Sequence, residues 1–409
     1  MKKILGVISI LLGVLCHHAV KAEELVIATS FSPETMDYIS KQWEAKHPDQ
    51  PIRLINRTVS SLERLLTQSN IENVDLILSS SPFLFNQLQQ KHYLALLPEH
   101  LLQNLIGVPS NLKQTTTAIA FSGYGIFYNK KLLEARHLSI PTDWDSLLDS
   151  SYANGILISS PSRSGTNHIM LEMLLQQRGW KQGWDALLTL SSNLSLISSR
   201  SFNVVDKVKM GLAVAGISID TYALNQMTNS DLGFVYFPLS IASPTFISIH
   251  RNSEHPKEAE AFIQFLLSDQ GQQIVATHNF AKYPLIALNR QDSLYVEQQK
   301  LFAQPLLDYD LLLLRDSLVE KLFDVAITFR LSQLKEVWSV LYAKEKKLGK
   351  KLTALRDELT SIPISDAQAK DKQFLEQLKN DRNFALAQEK KWAEYFKGQI
   401  DKVLISLEE

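Results

Sequence analysis

Cysteine is nearly absent: the 409-residue chain has one, Cys16. It falls in an N-terminal stretch that reads as an export signal. Lys2 and Lys3 give a positive start, and residues 4–16 form an apolar core too short to span a bilayer with its flanks. Val20-Lys21-Ala22 then places a small residue before a predicted cleavage ahead of Glu23. An uncleaved anchor is the alternative. A lipoprotein site fits poorly, because Leu15 stands where a small residue is wanted before Cys16. With residues 1–22 removed the chain has no thiol, which excludes disulfides, thiolate catalysis and cysteine-held metal. An excess of one charge sign is also missing: 42 Lys and Arg stand against 43 Asp and Glu. Nonspecific nucleic-acid binding needs a basic footprint, so that class is excluded and any preference for anions must be local. No later run resembles a membrane-spanning helix. There is no GxSxG elbow, no GxxxxGK[ST] loop, no GxGxxG after a strand and no HExxH, and the histidines are scattered. Internal repeats and low-complexity linkers are lacking too. The expectation is an exported, soluble chain, too long for one ordinary domain.

What is there begins with alternation. ELVIATS (24–30), PIRLIN (51–56) and VDLILSS (74–80) read as strands, each followed by a helical stretch, at 36–46, 60–68 and 83–90. Repeated strand–helix units predict a parallel sheet with helices on both faces, and ligands of such sheets sit beyond the carboxyl ends of the strands. TTTAIAFSGYGIFYNKKLLE (115–134) is β-branched and aromatic, interrupted by Gly123 and Gly125, and reads as a strand crossing into a second α/β lobe. FISIH (246–250) brings the chain back. HPKEAEAFIQFLLSDQGQQIV (255–275) reads as a helix, with Pro256 near its first turn and Ala259, Phe262, Ile263 and Leu266 on one face. From about Leu311 the sequence turns to Leu, Lys, Glu and Gln, and Phe323, Ile327, Leu331, Leu334, Trp338 and Leu341 recur at helical spacing. SIPIS (361–365) breaks that run. The predicted organisation is α/β: a signal peptide at 1–22, a first lobe at 23–118 completed by 241–305, a second lobe at 119–240, and an all-helical extension at 306–409. The extension reads either as a cap packed on the lobes or as a docking surface for another protein.

One turn raises a chemical question. SSPSRSGTNH (159–168) joins the strand GILI to a helix and holds four serines, one Arg, one Gly and one Thr, but no carboxylate. A helix start has unpaired backbone N–H groups and the positive end of the helix dipole. Gly165 lets the backbone approach a ligand, Ser164 and Thr166 offer hydroxyls, and Arg163 adds a planar cationic fork suited to phosphate or carboxylate. Such a turn is a ready anion site. A Ser/Thr helix cap with nothing bound accounts for the same residues. Other strand ends carry similar chemistry: TSFS (29–32) with Ser32, NRTVSS (56–61) with Arg57 and Thr58, SSS (79–81) with Ser79 and Ser80, and SSRSF (198–202) with Ser199, Arg200 and Ser201. If the sheets are parallel, these turns converge on one cleft. Each Arg is open to the plainer reading of a surface or ion-paired side chain. Asp220 and Tyr222 in GISIDTYA (216–223) either face that cleft or are ordinary turn residues. No nucleophile–base pair assembles from the sequence.

The strand–helix order, the crossing run ending in GIFYNKKLLE and the helix HPKEAEAFIQFLLSDQGQQIV together resemble the extracellular solute-binding proteins. SSPSRSGTNH, SSRSF, NRTVSSLERLL and the tail FRLSQLKEVW narrow the resemblance to the periplasmic regulators of phosphoglycerate transport in enteric bacteria, and it spans the chain after the signal segment. The resemblance implies a two-lobed, type II-like periplasmic binding fold with a C-terminal helical extension. It implies a sensor rather than an enzyme, working with a membrane sensor kinase and its response regulator to switch on a phosphoglycerate transporter. The implied ligands are phosphorylated three-carbon acids such as phosphoglycerate or phosphoenolpyruvate. SRSGT matches phosphate-binding turns of related proteins, which implies Ser164, Gly165 and Thr166 as contacts, whereas related turns do not always carry an Arg at the position of Arg163. The ferric branch uses adjacent tyrosines where GISIDTYA has one, so no metal is expected. The partners implied are a small anionic ligand and the periplasmic domain of the kinase, with no cofactor and no nucleic acid, and a monomer is expected. The alternative is a binding component of an ABC importer. An exported phosphatase is a third class, for which the metal cluster or nucleophile is lacking.

Overall fold

The computed structural model describes residues 24–31, 33–68, 72–277 and 280–408. The predicted signal peptide and Ser32 lie outside the described residues. Three strand–helix units open the fold: β1 (Leu25–Thr29), α1 (Pro33–Glu44), β2 (Ile52–Asn56), α2 (Val59–Thr67), β3 (Leu76–Ser79) and α3 (Pro82–Gln90). β1 and β3 are buried along their whole length, as strands covered on both faces must be. β4 (Thr117–Ser122) and β5 (Tyr124–Asn129) come from one run of sequence but belong to different sheets. The crossing falls at Gly123, where a Cβ would come within 2.7 Å of the Tyr236 ring and 2.9 Å of Leu301.

The second lobe continues with α4 (Lys130–Ala135), β6 (Ile156–Ser159), α5 (Gly165–Arg178), α6 (Trp180–Leu190), β7 (Leu194–Ser198), α7 (Phe202–Lys209), β8 (Ala215–Ile219), α8 (Asp220–Leu224) and β9 (Leu232–Tyr236). β10 (Ser243–Ile249) returns to the first sheet, followed by α9 (Pro256–Leu267) and α10 (Asp269–Val275). The strand orders are β2-β1-β3-β10-β4 and β7-β6-β8-β5-β9. The strand–helix units pair in parallel, as expected. β10 is antiparallel to β3 and β4, and β5 is antiparallel to β8 and β9, which makes both sheets mixed. The reason is connectivity: β5 and β10 enter from the other lobe without the crossover helix that a parallel neighbour requires. The single helix expected over 255–275 is two helices, because Ser268 ends α9 and its hydroxyl accepts the Gly271 N–H at 3.2 Å to start α10.

The remaining helices are α11 (Tyr295–Ala303), α12 (Tyr309–Leu314), α13 (Asp316–Ala326), α14 (Leu331–Leu348), α15 (Thr353–Thr360), α16 (Lys372–Asn380) and α17 (Arg382–Glu408). α14 stops at Gly349, whose φ of 64° is the left-handed conformation that glycine adopts at least cost. Phe323, Leu334, Trp338 and Leu341 share one apolar core with Ile169, Leu174 and Trp184 of the second lobe. The C-terminal helices thus cover one face of that lobe. A buried ion pair joins the two bodies. The Arg315 guanidinium, 2 % exposed, donates to Glu172 on α5 at 3.0 and 3.1 Å through Nε and at 2.5 Å through Nη2. Gln176 adds a donor to the same carboxylate at 2.8 Å. Removing one partner leaves the other charge buried without compensation. Arg315→Met is expected to lower stability by about 3–5 kcal/mol in denaturant unfolding; a loss below about 1 kcal/mol would show that water replaces the pair.

Candidate functional site

The carboxyl ends of β1, β2 and β3 face those of β6, β7 and β8 across one cleft. Its wall is formed by Ser30 and Phe31 after β1, Arg57, Thr58 and Val59 after β2, and Ser79, Ser80 and Ser81 at and after β3. The second lobe adds Arg163, Ser164, Gly165 and Thr166 after β6, Arg200, Ser201 and Phe202 after β7, and Ile219, Thr221 and Tyr222 at the end of β8. Lys282 completes it. The cavity volume is about 90 Å³, against roughly 10–15 Å³ for one water-sized group on the same measure, so the space suits a small metabolite rather than a polymer.

Four helices begin at this wall. Thr58 caps α2 by accepting the Ser61 N–H at 3.2 Å, and Ser164 caps α5 by accepting the Asn167 N–H at 3.2 Å. α3 starts after Ser81 and α7 after Ser201. Their first N–H groups and dipoles give the wall a positive character before any side chain is counted. Arg57, Arg163, Arg200 and Lys282 add four cationic side chains, and the described lining holds no Asp or Glu. Arg57 donates one N–H to the Asn56 carbonyl at 2.9 Å, and Arg200 lies over the Phe202 ring at 5.4 Å. Among the described residues neither these two nor Arg163 has a carboxylate partner. Glu34 and Asp206 line a wider outer opening beside the cleft.

The hydroxyls are arranged unevenly. Ser79 and Ser30 share a hydrogen bond of 2.7 Å, Ser79 Oγ accepts the Ser81 N–H at 3.2 Å, and Ser80 meets Thr245 at 3.1 Å. Ser81 Oγ is buried with no hydrogen-bond partner among the described residues. Gly165 faces it: a Cβ at that position would sit 3.1 Å from Ser81 Oγ. The lobes therefore approach each other closely here, and a side chain at position 165 would have to displace the Ser81 hydroxyl slightly.

Lys282 stands over the hinge. Its ammonium donates to Ser122 at 2.9 Å and to Thr221 at 3.2 Å, and it lies 4.8 Å from the centre of the Phe31 ring. Two of its three N–H donors are used in this way. Behind it the fully buried Asp220 accepts from the Gly123 N–H at 2.5 Å, the Thr221 N–H at 2.6 Å and the Tyr236 hydroxyl at 3.2 Å. Tyr236 in turn meets Tyr283 at 2.7 Å. This network ties the crossing at Gly123 to the end of β8 and to the segment after α10. Burial pushes the Asp220 carboxyl up to about 6, opposed by the Gly123 N–H and by Lys282. Burial likewise pulls the Lys282 ammonium down to about 8, opposed by Asp220.

Ten of the twelve residues singled out from the sequence line this cleft, Arg57, Thr58, Ser79, Ser80, Arg163, Ser164, Gly165, Thr166, Arg200 and Ser201. Ser199 is exposed and outside the lining, and Ser32 lies outside the described residues. Tyr222 faces the cleft, whereas Asp220 lies beneath it. The carboxylates near the turns are elsewhere. Asp37 pairs with Lys41 on the surface, and Asp75 is buried against the Val26 N–H and Ser253.

Comparison with known proteins bears on what this cleft belongs to. A family model described as bacterial extracellular solute-binding protein matches residues 72–309. The chain belongs to the bacterial extracellular solute-binding proteins. Within that family it is 45 % identical over 388 residues to the phosphoglycerate transport regulatory protein PgtC of Salmonella typhimurium, covering 95 % of this chain and 98 % of the relative. Among solved structures, the periplasmic binding protein AfuA from Actinobacillus pleuropneumoniae, with exogenous fructose-6-phosphate bound, has a TM-score of 0.67 at 19 % identity and covers 74 % of this chain and 98 % of that one. Iron-bound HitA from Pseudomonas aeruginosa has a TM-score of 0.59 at 19 % identity, with coverage of 73 % and 98 %. These likenesses establish the two-lobed fold, and AfuA is a periplasmic binding protein. The cleft described above lies at the carboxyl strand ends, the place at which the sequence put the candidate anion turns.

Lys282 was not singled out from the sequence. Its signal is a lone charge in the apolar run FAKYPLI (280–286), which must be buried or turned to a cleft. Its ammonium, pulled down by burial, gives an expected pH dependence. Phosphate is dianionic above about pH 7, so between pH 7.5 and 9.5 Lys282 is the group whose charge changes. The charged form favours an anion, so affinity for an anionic probe such as 3-phosphoglycerate is expected to fall as pH rises through about 8. Lys282→Met is expected to weaken binding about 10- to 100-fold at pH 7 and to flatten that pH dependence. Calorimetry across this range tests both; a variant that keeps the slope would place its origin elsewhere.

Proposed function

We propose that this chain is a periplasmic solute-binding sensor. It closes on a small phosphorylated carboxylate, phosphoglycerate or phosphoenolpyruvate, and modulates a membrane sensor kinase that controls expression of a phosphoglycerate transporter. The observation that carries the ligand class is the cleft itself: four cationic side chains and four helix starts with no carboxylate in the described lining. A phosphate with a carboxylate two carbons away carries two anionic groups and can engage both lobes at once. The ligand residues in this reading are Arg57, Thr58, Ser79 and Ser80 from the first lobe, Arg163, Ser164, Gly165, Thr166, Arg200 and Ser201 from the second, and Lys282 at the hinge. The regulatory role is supported by the likeness to PgtC along nearly the whole chain, helical extension included. The reading assigns no turnover to the protein. It also takes residues 1–22 as a cleaved signal peptide, the residues from 23 to the crossing at Gly123 together with 241–305 as the first lobe, those from Gly123 to 240 as the second, 306–409 as the helical extension, and a monomer as the working form.

Closure follows from differential affinity. A ligand held by both lobes favours the closed state only by as much as it binds that state better than the open one. Arg57 belongs to one lobe and Arg163 and Arg200 to the other, so losing any of them reduces that difference. Arg57→Ala, Arg163→Ala and Arg200→Ala are each expected to weaken 3-phosphoglycerate binding by about 10-fold or more without lowering the melting temperature of the free protein. Unchanged affinity in all three would reject the cleft assignment. Capture of the kinase's periplasmic domain by the ligand-bound chain is expected in the same experiments. Capture of a membrane permease instead would assign the chain to import.

A further inference from the structure

The turn that carries Arg163, Ser164 and Gly165 is held from outside its own lobe. Ser160 and Ser162 donate their hydroxyls to the two carboxylate oxygens of Asp324 on α13, at 2.9 and 2.7 Å. Thr328 donates to the same carboxylate at 2.6 Å. Ser160 is the pivot of the turn, because its carbonyl accepts the Arg163 N–H at 3.1 Å and the Ser164 N–H at 3.0 Å. Asp324 is not part of the cleft lining. One helical turn earlier on the same face of α13, Glu320 lies 3.4 Å from Nδ1 of His168. His168 is fully buried, neither ring nitrogen has a hydrogen-bond partner among the described residues, and its ring stacks on Phe83 of the first lobe at 4.4 Å between centroids. A single face of one helix therefore touches both the anion turn and the contact between the lobes.

We propose that the C-terminal extension is part of the binding machinery: Asp324 is a positioning residue for the anion-binding turn, and α13 senses whether the cleft is occupied and closed. This rests on the cleft being an anion site. Electrostatics and positioning make opposite forecasts. A carboxylate near an anion site weakens binding through its charge, so its removal strengthens binding if charge is all that matters. If its work is to hold Ser160 and Ser162, its removal loosens the turn and weakens binding. Coupling is reciprocal, so a ligand that orders the turn must also order α13.

The test uses the purified full chain and three versions of it, the parent, Asp324→Ala and Asp324→Asn. Hydrogen exchange without ligand reads the turn directly. Asp324→Ala is expected to speed exchange over residues 160–168 by about fivefold and leave α9 unchanged, and an unchanged turn overturns the proposal whether or not the protein binds anions. Calorimetry with 3-phosphoglycerate reads the consequence. Asp324→Ala is expected to bind about tenfold more weakly and Asp324→Asn, which keeps the shape without the charge, within about threefold of the parent. Equal or tighter binding by Asp324→Ala overturns the positioning role. In the parent, 3-phosphoglycerate is expected to slow exchange in α13, and no change there overturns the sensing role. A parent that binds no anion at all sinks the cleft reading instead, and the exchange of the free protein then decides whether Asp324 holds the turn.

Discussion

Positive charge gathered in one cleft, with no carboxylate among its described lining residues, is the condition on which the rest of this molecule depends. Arg57 comes from one lobe, Arg163 and Arg200 from the other, and Lys282 from the hinge, while four helices point their N-termini at the same space. Like charges brought together in a partly desolvated cleft repel, and the repulsion grows as the cleft closes and water leaves. An anion reverses the sign of that balance. On the reading proposed above, closure is then favoured by the right occupant, which is what a sensor would need from its resting state. Neutral hydroxyls rather than carboxylates satisfy the buried ammonium of Lys282, so its charge stays available to a ligand.

The interior charge that does exist is placed behind the wall. Asp220 lies under the crossing between the lobes and is held by backbone N–H groups and the Tyr236 hydroxyl. There it moderates the burial cost of Lys282 without presenting an oxygen to the cleft. The same network joins Gly123, β8 and the segment after α10, which are the places where the chain passes between lobes. The cleft wall and the crossing between the lobes are thus joined through one set of side chains. The C-terminal helices add a second link, since α13 meets α5 through the buried Arg315–Glu172 pair and meets the anion turn through Asp324.

Much of this was legible in the residues, and the exceptions have physical causes. The strand–helix units, the crossing run and the helical tail follow from periodicity and from the placement of Gly and Ser, because each is a local property. That the turns 56–61, 79–81, 159–168 and 198–202 meet at one cleft was legible because each follows a strand of a parallel unit, whereas a plain Ser/Thr helix cap accounts for the same residue types. The direction of β5 and β10 was not, since it depends on which lobe the chain arrives from. The break at Ser268 was hidden by apolar positions that continue through it. Lys282 and Asp220 were missed or left open because their roles come from residues more than 60 positions away in the chain, Ser122 and Thr221 for the lysine and Gly123 for the aspartate. Asp324 was invisible for the same reason: nothing near it in sequence points to Ser160 and Ser162.

The decisive comparison is between 3-phosphoglycerate and glycerate on the unaltered protein, read by thermal shift and calorimetry at low and moderate salt. The phosphorylated acid should bind at one site, raise the melting temperature because it binds only the folded state, and lose affinity as salt rises, while glycerate leaves the protein unchanged. Equal binding of the two acids, or no response to either, would contradict the idea that the cleft is built around an unbalanced positive charge.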